Sequence, residues 1–259
     1  MWDRLRRHPL AMRTRFGHSL VLTYAFAPEV LAPLLPPGLA LDTYTAPDGT
    51  AYGFVAVGIV SALRLRPAFL PAACGLDYVL TGYRVFARFP TPGGRVMRGL
   101  KILRSDTDRR LMVLGGNLLT RYHYRLGSID LRVRGSRLLA TVHSRDGHAD
   151  LAVAADLAEA PAGIPAGSPF ATAHDARRFA GPLPYTFDHE EATRSMIVVK
   201  AYRSRWQPEP VAVEVRRMTF FEYGPFAGTR PVLAQAFHVA DLEYGWHRGS
   251  RRALDGAAR

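Results

Sequence analysis

Short apolar segments rich in β-branched and aromatic residues recur along the chain, and Gly- or Pro-containing turns separate many of them. Such residues favour strands, and a turn sequence between two such segments is typical of a β-hairpin. Pro47-Asp48-Gly49, Thr91-Pro92-Gly93-Gly94 and Gly135-Ser136 are turns of this kind. The pattern therefore predicts a series of antiparallel hairpins. The predicted strands are 18–26, 39–45, 50–65, 77–89, 95–105, 123–134, 137–145, 149–157, 194–206, 211–223 and 232–246.

A helical pattern interrupts the strands near the middle of the chain. Leu111, Leu114 and Leu118 recur at helical spacing, and two short acids of the kind that cap a helix precede them. We expect a helix over 107–119 whose leucine face packs on the sheet. Two consecutive glycines inside it either allow close packing or weaken the helix. Shorter helices are predicted at 28–35 and 168–176.

Many evenly spaced strands with a few short helices predict a mainly β (α+β) fold. A largely antiparallel sheet of this size should close or fold over, because an open sheet leaves edges to protect. No charge run or flexible linker divides the 259 residues, so one domain over 1–259 is expected. The polar tail 249–259 is expected to fray.

The net charge of +12 gives the surface some affinity for phosphate. The arginines are nevertheless scattered, and no basic helix or nucleic-acid motif is present, so no specific nucleic acid is expected as a partner. Lysine occurs only as Lys101 and Lys200. An amine-based reaction mechanism is therefore easy to test in this chain.

No export signal or membrane-length apolar segment is present, and the lone Cys74 fits a reducing compartment. A cytoplasmic protein without membrane contacts is expected, with a homo-oligomer as an open alternative. No phosphate-binding loop or other cofactor motif occurs, so no cofactor is expected. His143 and His148 flank a turn, and a hairpin tip explains them better than a metal site does, so no metal is expected.

Seven segments of the chain carry a resemblance to a known family. They are LAPLLPPGLALD (31–42), GYRVF (82–86), RGLKILRSDTD (98–108), GNLLT (116–120), GSPF (167–170), RRFAGPLP (177–184) and VVKAYRSRWQPEPV (198–211). In this order they resemble the YqjF-like family of uncharacterised proteins, a part of the acetoacetate decarboxylase-like superfamily, over roughly residues 12–248. The resemblance implies a cone-shaped, mostly antiparallel closed barrel with a ligand cavity inside.

The resemblance also implies where a reactive site would lie. The decarboxylases form a Schiff base with a lysine directly after the central helix, and the matching position here is Tyr122, followed by His123. A phenol cannot condense with a ketone, so the Schiff-base chemistry is not expected. The acidic residue that a decarboxylase carries on a preceding strand corresponds to Asp77.

These considerations give a set of candidate residues and two candidate functions. We expect His123 and Asp77 to be catalytic through proton transfer. The ligand-binding candidates are Tyr122, Tyr124, Arg104, Lys101 and Lys200. Each also has a structural interpretation: core packing for the tyrosines, a structural role for the histidine and solvent exposure for the lysines. Binding of a small carbonyl or carboxylate compound, with turnover, is one hypothesis. Non-catalytic binding or sensing of a small molecule is the alternative.

Overall fold

The computed structural model describes residues 2–91, 94–161, 163–181 and 183–254, which form fifteen strands and four α-helices. The strands are β1 (Met12–Phe26), β2 (Ala40–Leu41), β3 (Tyr44–Thr45), β4 (Ala51–Pro67), β5 (Leu76–Pro90), β6 (Val96–Thr107), β7 (Tyr124–Arg134), β8 (Arg137–Ser144), β9 (Leu151–Asp156), β10 (Tyr185–Glu190), β11 (Ser195–Arg203), β12 (Glu209–Pro210), β13 (Ala212–Met218), β14 (Val232–Trp246) and β15 (Ser250–Ala253). The helices are α1 (Trp2–Leu5), α2 (Pro28–Leu31), α3 (Arg110–Leu119) and α4 (Ala173–Phe179). Single 3₁₀ turns occur at Ala32–Leu34, Ala72–Cys74, Glu191–Thr193, Thr219–Glu222 and Gly224–Phe226.

Seven of the strands hydrogen-bond in a closed ring. The order is β6, β10, β11, β14, β1, β4 and β5, and β5 pairs again with β6. Every pair in the ring is antiparallel except β6 with β10. Closure leaves these seven strands without a free edge. The prediction of a mainly β, mostly antiparallel sheet that closes on itself is confirmed.

A second layer packs against the outside of the ring. Strands β7, β8, β9 and β13 continue the sheet from β6 and lie over β1, β4 and β5. Side chains alternate between the faces of a strand. Leu20 and Leu22 of β1 therefore enter the core between the layers, whereas Ser19, Val21 and Thr23 line a cavity inside the ring. The largest hydrophobic core thus lies outside the ring, which leaves its interior for a ligand.

Most of the predicted hairpins are present. The structure pairs β3 with β4, β5 with β6 and β7 with β8, and β9 extends the last pair as predicted. The predicted strand 211–223 ends at Met218 and continues as a 3₁₀ turn, while the predicted helix 168–176 begins later, at Ala173. Strand β10 was not predicted, because the polar residues Asp188 and Glu190 hide its buried character.

The predicted orientation of the central helix is wrong. Leu111, Leu114 and Leu118 are exposed, with 68%, 70% and 42% of their surface accessible, and the buried residues of α3 are Met112 and Gly116. The helix approaches the sheet through its glycine, which the leucine pattern does not reveal.

The two acids before α3 do not cap it. Asp106 forms an ion pair with Arg104, and an Asp108 carboxylate oxygen accepts a hydrogen bond from the Val79 amide at 2.8 Å. The helix therefore begins at Arg110, without a side-chain cap.

The C-terminal segment predicted to fray contributes a strand. Within it, β15 pairs antiparallel with β11, with Ser250 opposite Val198 and Ala253 opposite Ser195. The last five residues, 255–259, lie outside the described residues. Among the described helices, none has the length and apolar character needed to cross a membrane.

Candidate functional site

A cavity of about 140 Å³ lies inside the ring of strands. Its apolar wall includes Val21, Phe86, Ile102 and Phe237. Its polar groups are four serine or threonine hydroxyls, four tyrosine hydroxyls and two arginine guanidinium groups. They are Ser19, Thr23, Ser105, Thr186, Tyr78, Tyr122, Tyr124, Tyr244, Arg84 and Arg203. A mostly apolar pocket with a few convergent polar groups is typical of a small-molecule site.

Arg84 of β5 is the central charged group of this cavity. Its guanidinium lies beside Gly58 and Gly82, where an added Cβ would stand 2.8 Å from a guanidinium nitrogen in each case. The two glycines therefore form a niche for the arginine. Within the described part of the chain, Arg84 forms no hydrogen bond or ion pair. Arginine keeps its charge in proteins, so this cation faces the cavity without a counterion.

Arg203, the last residue of β11, supplies the second cation of the cavity. Its guanidinium carbon lies 4.8 Å from the centre of the Trp206 ring and 5.8 Å from that of Tyr244. Burial lowers its pKa from the ordinary value, but an arginine remains protonated. No Asp, Glu, Lys, His or Cys is among the described residues that line this cavity. The cavity therefore carries positive charge and attracts an anion.

Tyr122 and Tyr124, two of the predicted ligand-binding residues, both line the cavity. The Tyr122 hydroxyl lies 2.6 Å from Thr186 Oγ1. Burial raises the pKa of Tyr122 well above 10 and that of Tyr124 to about 12. Both phenols are therefore neutral hydrogen-bonding groups at neutral pH. The Asn117 side chain fixes the backbone of Tyr124. The Tyr124 N–H donates to Asn117 Oδ1, and the Asn117 side-chain NH₂ donates to the Tyr124 carbonyl, each at 2.8 Å.

His123 lies outside the cavity. It adopts a left-handed backbone conformation, with φ of 53°, between the two tyrosines, and its side chain is exposed. Loss of part of its hydration and the nearby Lys101 ammonium both lower its pKa from 6.5. A proton-transfer role for His123 inside the ring has no support in this placement.

Asp77, the second catalytic candidate, is also exposed. Its carboxylate accepts a hydrogen bond from the Arg64 amide at 2.6 Å, and Arg64 has a left-handed φ of 54°. Asp77 therefore stabilises the loop between β4 and β5. The structure does not bring it to the cavity.

Arg104 points away from the cavity because of a β-bulge. The β5–β6 register shifts at this point, so that Arg104 is opposite Tyr83, whose ring lies in the outer core. Two carboxylates engage its guanidinium: Asp106 at 2.6 and 2.8 Å and Asp146 at 2.8 and 2.9 Å. These pairs connect the ring to the second layer. They occupy the donors that an oxyanion would need.

The two lysines also lie away from the cavity. Lys101 Nζ is 3.4 Å from one carboxylate oxygen of Asp188. His8 Nε2 is 3.3 Å from the other oxygen of the same carboxylate. Lys200 is exposed on the outer surface of β11. Of the seven predicted site residues, the structure therefore brings together only the two tyrosines.

Glu190, near Asp188 on β10, forms a second buried ion-pair cluster. Its carboxylate accepts hydrogen bonds from Arg7 at 2.6 and 2.8 Å and from the Thr193 hydroxyl, and Arg121 lies 3.5 Å away. Burial alone would raise the pKa of Glu190. The hydrogen bonds from Arg7 and Thr193 outweigh burial and lower the pKa from 4.5 to about 2.

This pKa predicts a loss of stability in acid. Because the pKa of Glu190 is lower in the folded state, the carboxylate stabilises the fold above about pH 4.5, and this contribution disappears as the pH falls towards 2. We expect Glu190→Gln to lower the melting temperature at neutral pH and to make it less sensitive to pH between those limits. Thermal unfolding at several pH values measures both effects. Glu29→Gln, at an exposed position of α2, is the control. Parallel pH curves for wild type and Glu190→Gln would contradict the prediction.

Both the sequence and the fold of this chain match known proteins. The sequence profile of one family of uncharacterized conserved proteins matches residues 13–241, nearly the whole chain. The chain belongs to the DUF2071 family. No curated protein matches this DUF2071 chain in sequence.

Solved structures share the fold of this DUF2071 protein. It is similar to an acetoacetate decarboxylase from Legionella pneumophila subsp. pneumophila str. Philadelphia 1, with a TM-score of 0.62, 14% identity and coverage of 94% of this chain and 87% of that one. An acetoacetate decarboxylase-like enzyme from Sphingomonas wittichii RW1 gives a TM-score of 0.58 at 16% identity, covering 96% and 95%. The enduracididine biosynthesis enzyme MppR, complexed with pyruvate, gives 0.54 at 14% identity, covering 94% and 90%. The fold is therefore acetoacetate decarboxylase-like.

Proposed function

We propose that this DUF2071 protein binds a small organic carboxylate inside the ring of strands and holds the carboxylate group on Arg84. The observation that carries the proposal is the guanidinium in its glycine niche, without an acidic partner in the described part of the chain. Arg84 is partly buried, and a charge that has lost part of its hydration is costly unless it is paired. A bound carboxylate would pair it, and its planar geometry suits two parallel hydrogen bonds from a guanidinium.

The remaining polar groups fit the rest of such a ligand. Tyr78, Tyr124 and Tyr244 lie near enough to Arg84 for its charge to lower their pKa values, although burial raises them more. Neutral tyrosine hydroxyls can donate hydrogen bonds to a carbonyl or carboxylate oxygen. A cavity of about 140 Å³ is close in size to one that holds benzene, so a small compound is favoured. MppR, a protein of the same fold, is described in complex with pyruvate, which is a small carbonyl carboxylate.

Two functions remain compatible with this binding. Catalysis on a carbonyl or carboxylate compound would use the arginines and tyrosines to stabilise developing negative charge. Non-catalytic binding is favoured by the composition of the described cavity lining, which offers no group with an ordinary pKa near 7 for proton transfer. Ligand-observed NMR with pyruvate and acetoacetate tests the proposal. Saturable binding supports it, and the absence of binding by both compounds opposes it. Loss of the ligand signals over a day that is faster than in a matched sample without protein would show turnover, and equal rates in the two samples would show binding alone.

An imine intermediate is not part of the proposal, because neither lysine lines the cavity. Tyr122 lies on the cavity wall directly after the central helix, Lys101 is paired with Asp188 and Lys200 is exposed. We expect incubation with acetoacetate and borohydride to leave the protein mass unchanged, which intact-mass spectrometry measures. A stable adduct would contradict the prediction. Lys101→Arg and Lys200→Arg would then identify the reacting lysine.

A further inference from the structure

We propose that the ligand is a dicarboxylate whose second carboxylate binds Arg203. This inference rests on the proposed binding of a first carboxylate by Arg84. It specifies the class of ligand: a short organic acid with an acidic group at each end.

The two arginines approach the cavity from different walls of the ring. Arg84 belongs to β5 and Arg203 to β11. Three strand pairings separate β5 from β11 in one direction around the ring (through β6 and β10) and four in the other (through β4, β1 and β14). In a ring of seven strands, no two strands are further apart than this. A ligand that contacts both guanidinium groups must therefore extend across the cavity.

Tyr244 lines the same cavity as the two cations. It is opposite Arg203 in the β11–β14 register, and its ring centre is 5.8 Å from the Arg203 guanidinium. The charges of Arg203 and Arg84 both oppose the rise in the pKa of Tyr244 that burial causes. Arg84, Arg203 and Tyr244 all line the same cavity of about 140 Å³, so one short ligand can contact both guanidinium groups.

The charge of the cavity favours two acidic groups over one. Several arginines that are buried or partly buried have carboxylate partners, such as Arg98 with Asp42 at 2.7 Å and Arg104 with Asp106 at 2.6 Å. Arg84 and Arg203 differ because, within the described residues, neither has a carboxylate partner. One carboxylate would neutralise only half of this charge, whereas a dicarboxylate would neutralise all of it.

A single dianionic group, such as a phosphate, could also supply two negative charges. Both guanidinium groups would then have to converge on one point, although they come from different walls and Arg203 is packed between Trp206 and Tyr244. The arrangement therefore favours two separated carboxylates, and a phosphate is an outcome that the experiment can detect.

The experiment compares succinate with butyrate, two probes with the same number of carbons that differ by one carboxylate. Isothermal titration at low salt should show that succinate binds the wild-type protein at least roughly tenfold more tightly than butyrate. Arg203→Met should reduce this preference to less than about threefold, because the loss of affinity should be larger for succinate than for butyrate. Arg203→Lys, which keeps the charge and most of the packing, should retain part of the preference. It also serves as the test if the methionine variant does not fold.

The outcomes separate this inference from the proposed function. Equal binding of succinate and butyrate, or binding of pyruvate without succinate, would overturn the dicarboxylate and leave the carboxylate site in place. Tighter binding of inorganic phosphate than of succinate would overturn it in favour of a single phosphate group. A preference for succinate that survives in Arg203→Met would also overturn the role of Arg203. If succinate, butyrate, pyruvate and acetoacetate all fail to bind, both the inference and the proposed function are wrong.

Discussion

Replacing Arg84 with methionine should abolish carboxylate binding while the protein remains folded. Methionine preserves most of the side-chain length and removes the guanidinium from its niche beside Gly58 and Gly82. Truncating one partner of a buried, hydrogen-bonded charge pair costs about 2–5 kcal/mol, which is at least roughly thirtyfold in Kd. Ligand-observed NMR or calorimetry with pyruvate measures this loss. The melting temperature should not fall, because the substitution removes an unpaired cation and breaks no ion pair.

The matched control is Arg132→Met. Arg132 lies on an exposed face of β7 in the second layer, and its ion pair with Asp130 is also exposed. The control lowers the net charge by the same amount, so it reports any general effect of charge on anion binding. Pyruvate binding by Arg84→Met within about threefold of the control would refute the proposed site.

The two adjacent glycines of α3 should respond in opposite directions to substitution by alanine. A Cβ at Gly116 would lie 2.4 Å from Cδ2 of the Tyr124 ring, whereas a Cβ at Gly115 would meet nothing within 4 Å. Gly116→Ala should therefore force the helix or the tyrosine to move and destabilise the protein by about 1–3 kcal/mol. Gly115→Ala should stabilise it by about 0.5–1 kcal/mol through the higher helix propensity of alanine. Denaturant unfolding of the two variants measures both changes.

The pair also tests how the cavity wall is held. Because Tyr124 lines the cavity, Gly116→Ala should weaken pyruvate binding as well, and Gly115→Ala should leave it unchanged. Equal stability of the two variants would show that α3 does not press on Tyr124 as described. The sequence alone left open whether these glycines allow close packing or weaken the helix, and the structure assigns one role to each.

Local patterns predicted those parts of the fold that depend on local interactions. The hairpins about Pro47–Gly49 and Gly135-Ser136 were predictable because their turn residues act on the neighbouring strands. Strand β10 was not, because its buried acids are satisfied by Arg7 and His8, about 180 residues earlier in the chain. In the sequence, a buried carboxylate whose partner is that distant cannot be distinguished from a carboxylate in a loop.

The candidate site was harder to predict than the fold. Tyr122 and Tyr124 were identified, but strand periodicity could not show that the bulge beside Arg104 turns this arginine outward. Arg84 was missed, although a signal was present: a glycine two residues before it, on the face of β5 that also carries Leu80 and Phe86. A small residue beside a charge on such a face indicates space for that charge.

The pairing of β1 with β14 determines when the cavity can form. Met12 is opposite Trp246, so strands at the two ends of the chain are neighbours in the ring. Contacts of such high sequence separation slow folding, and during synthesis β1 has no partner on this side until residues 232–246 have left the ribosome. Until then the nascent chain has an unpaired edge on β1 and no enclosed interior. A protein truncated before Val232 would therefore keep most of the hairpins but lack a ligand site, and its open edge would favour aggregation.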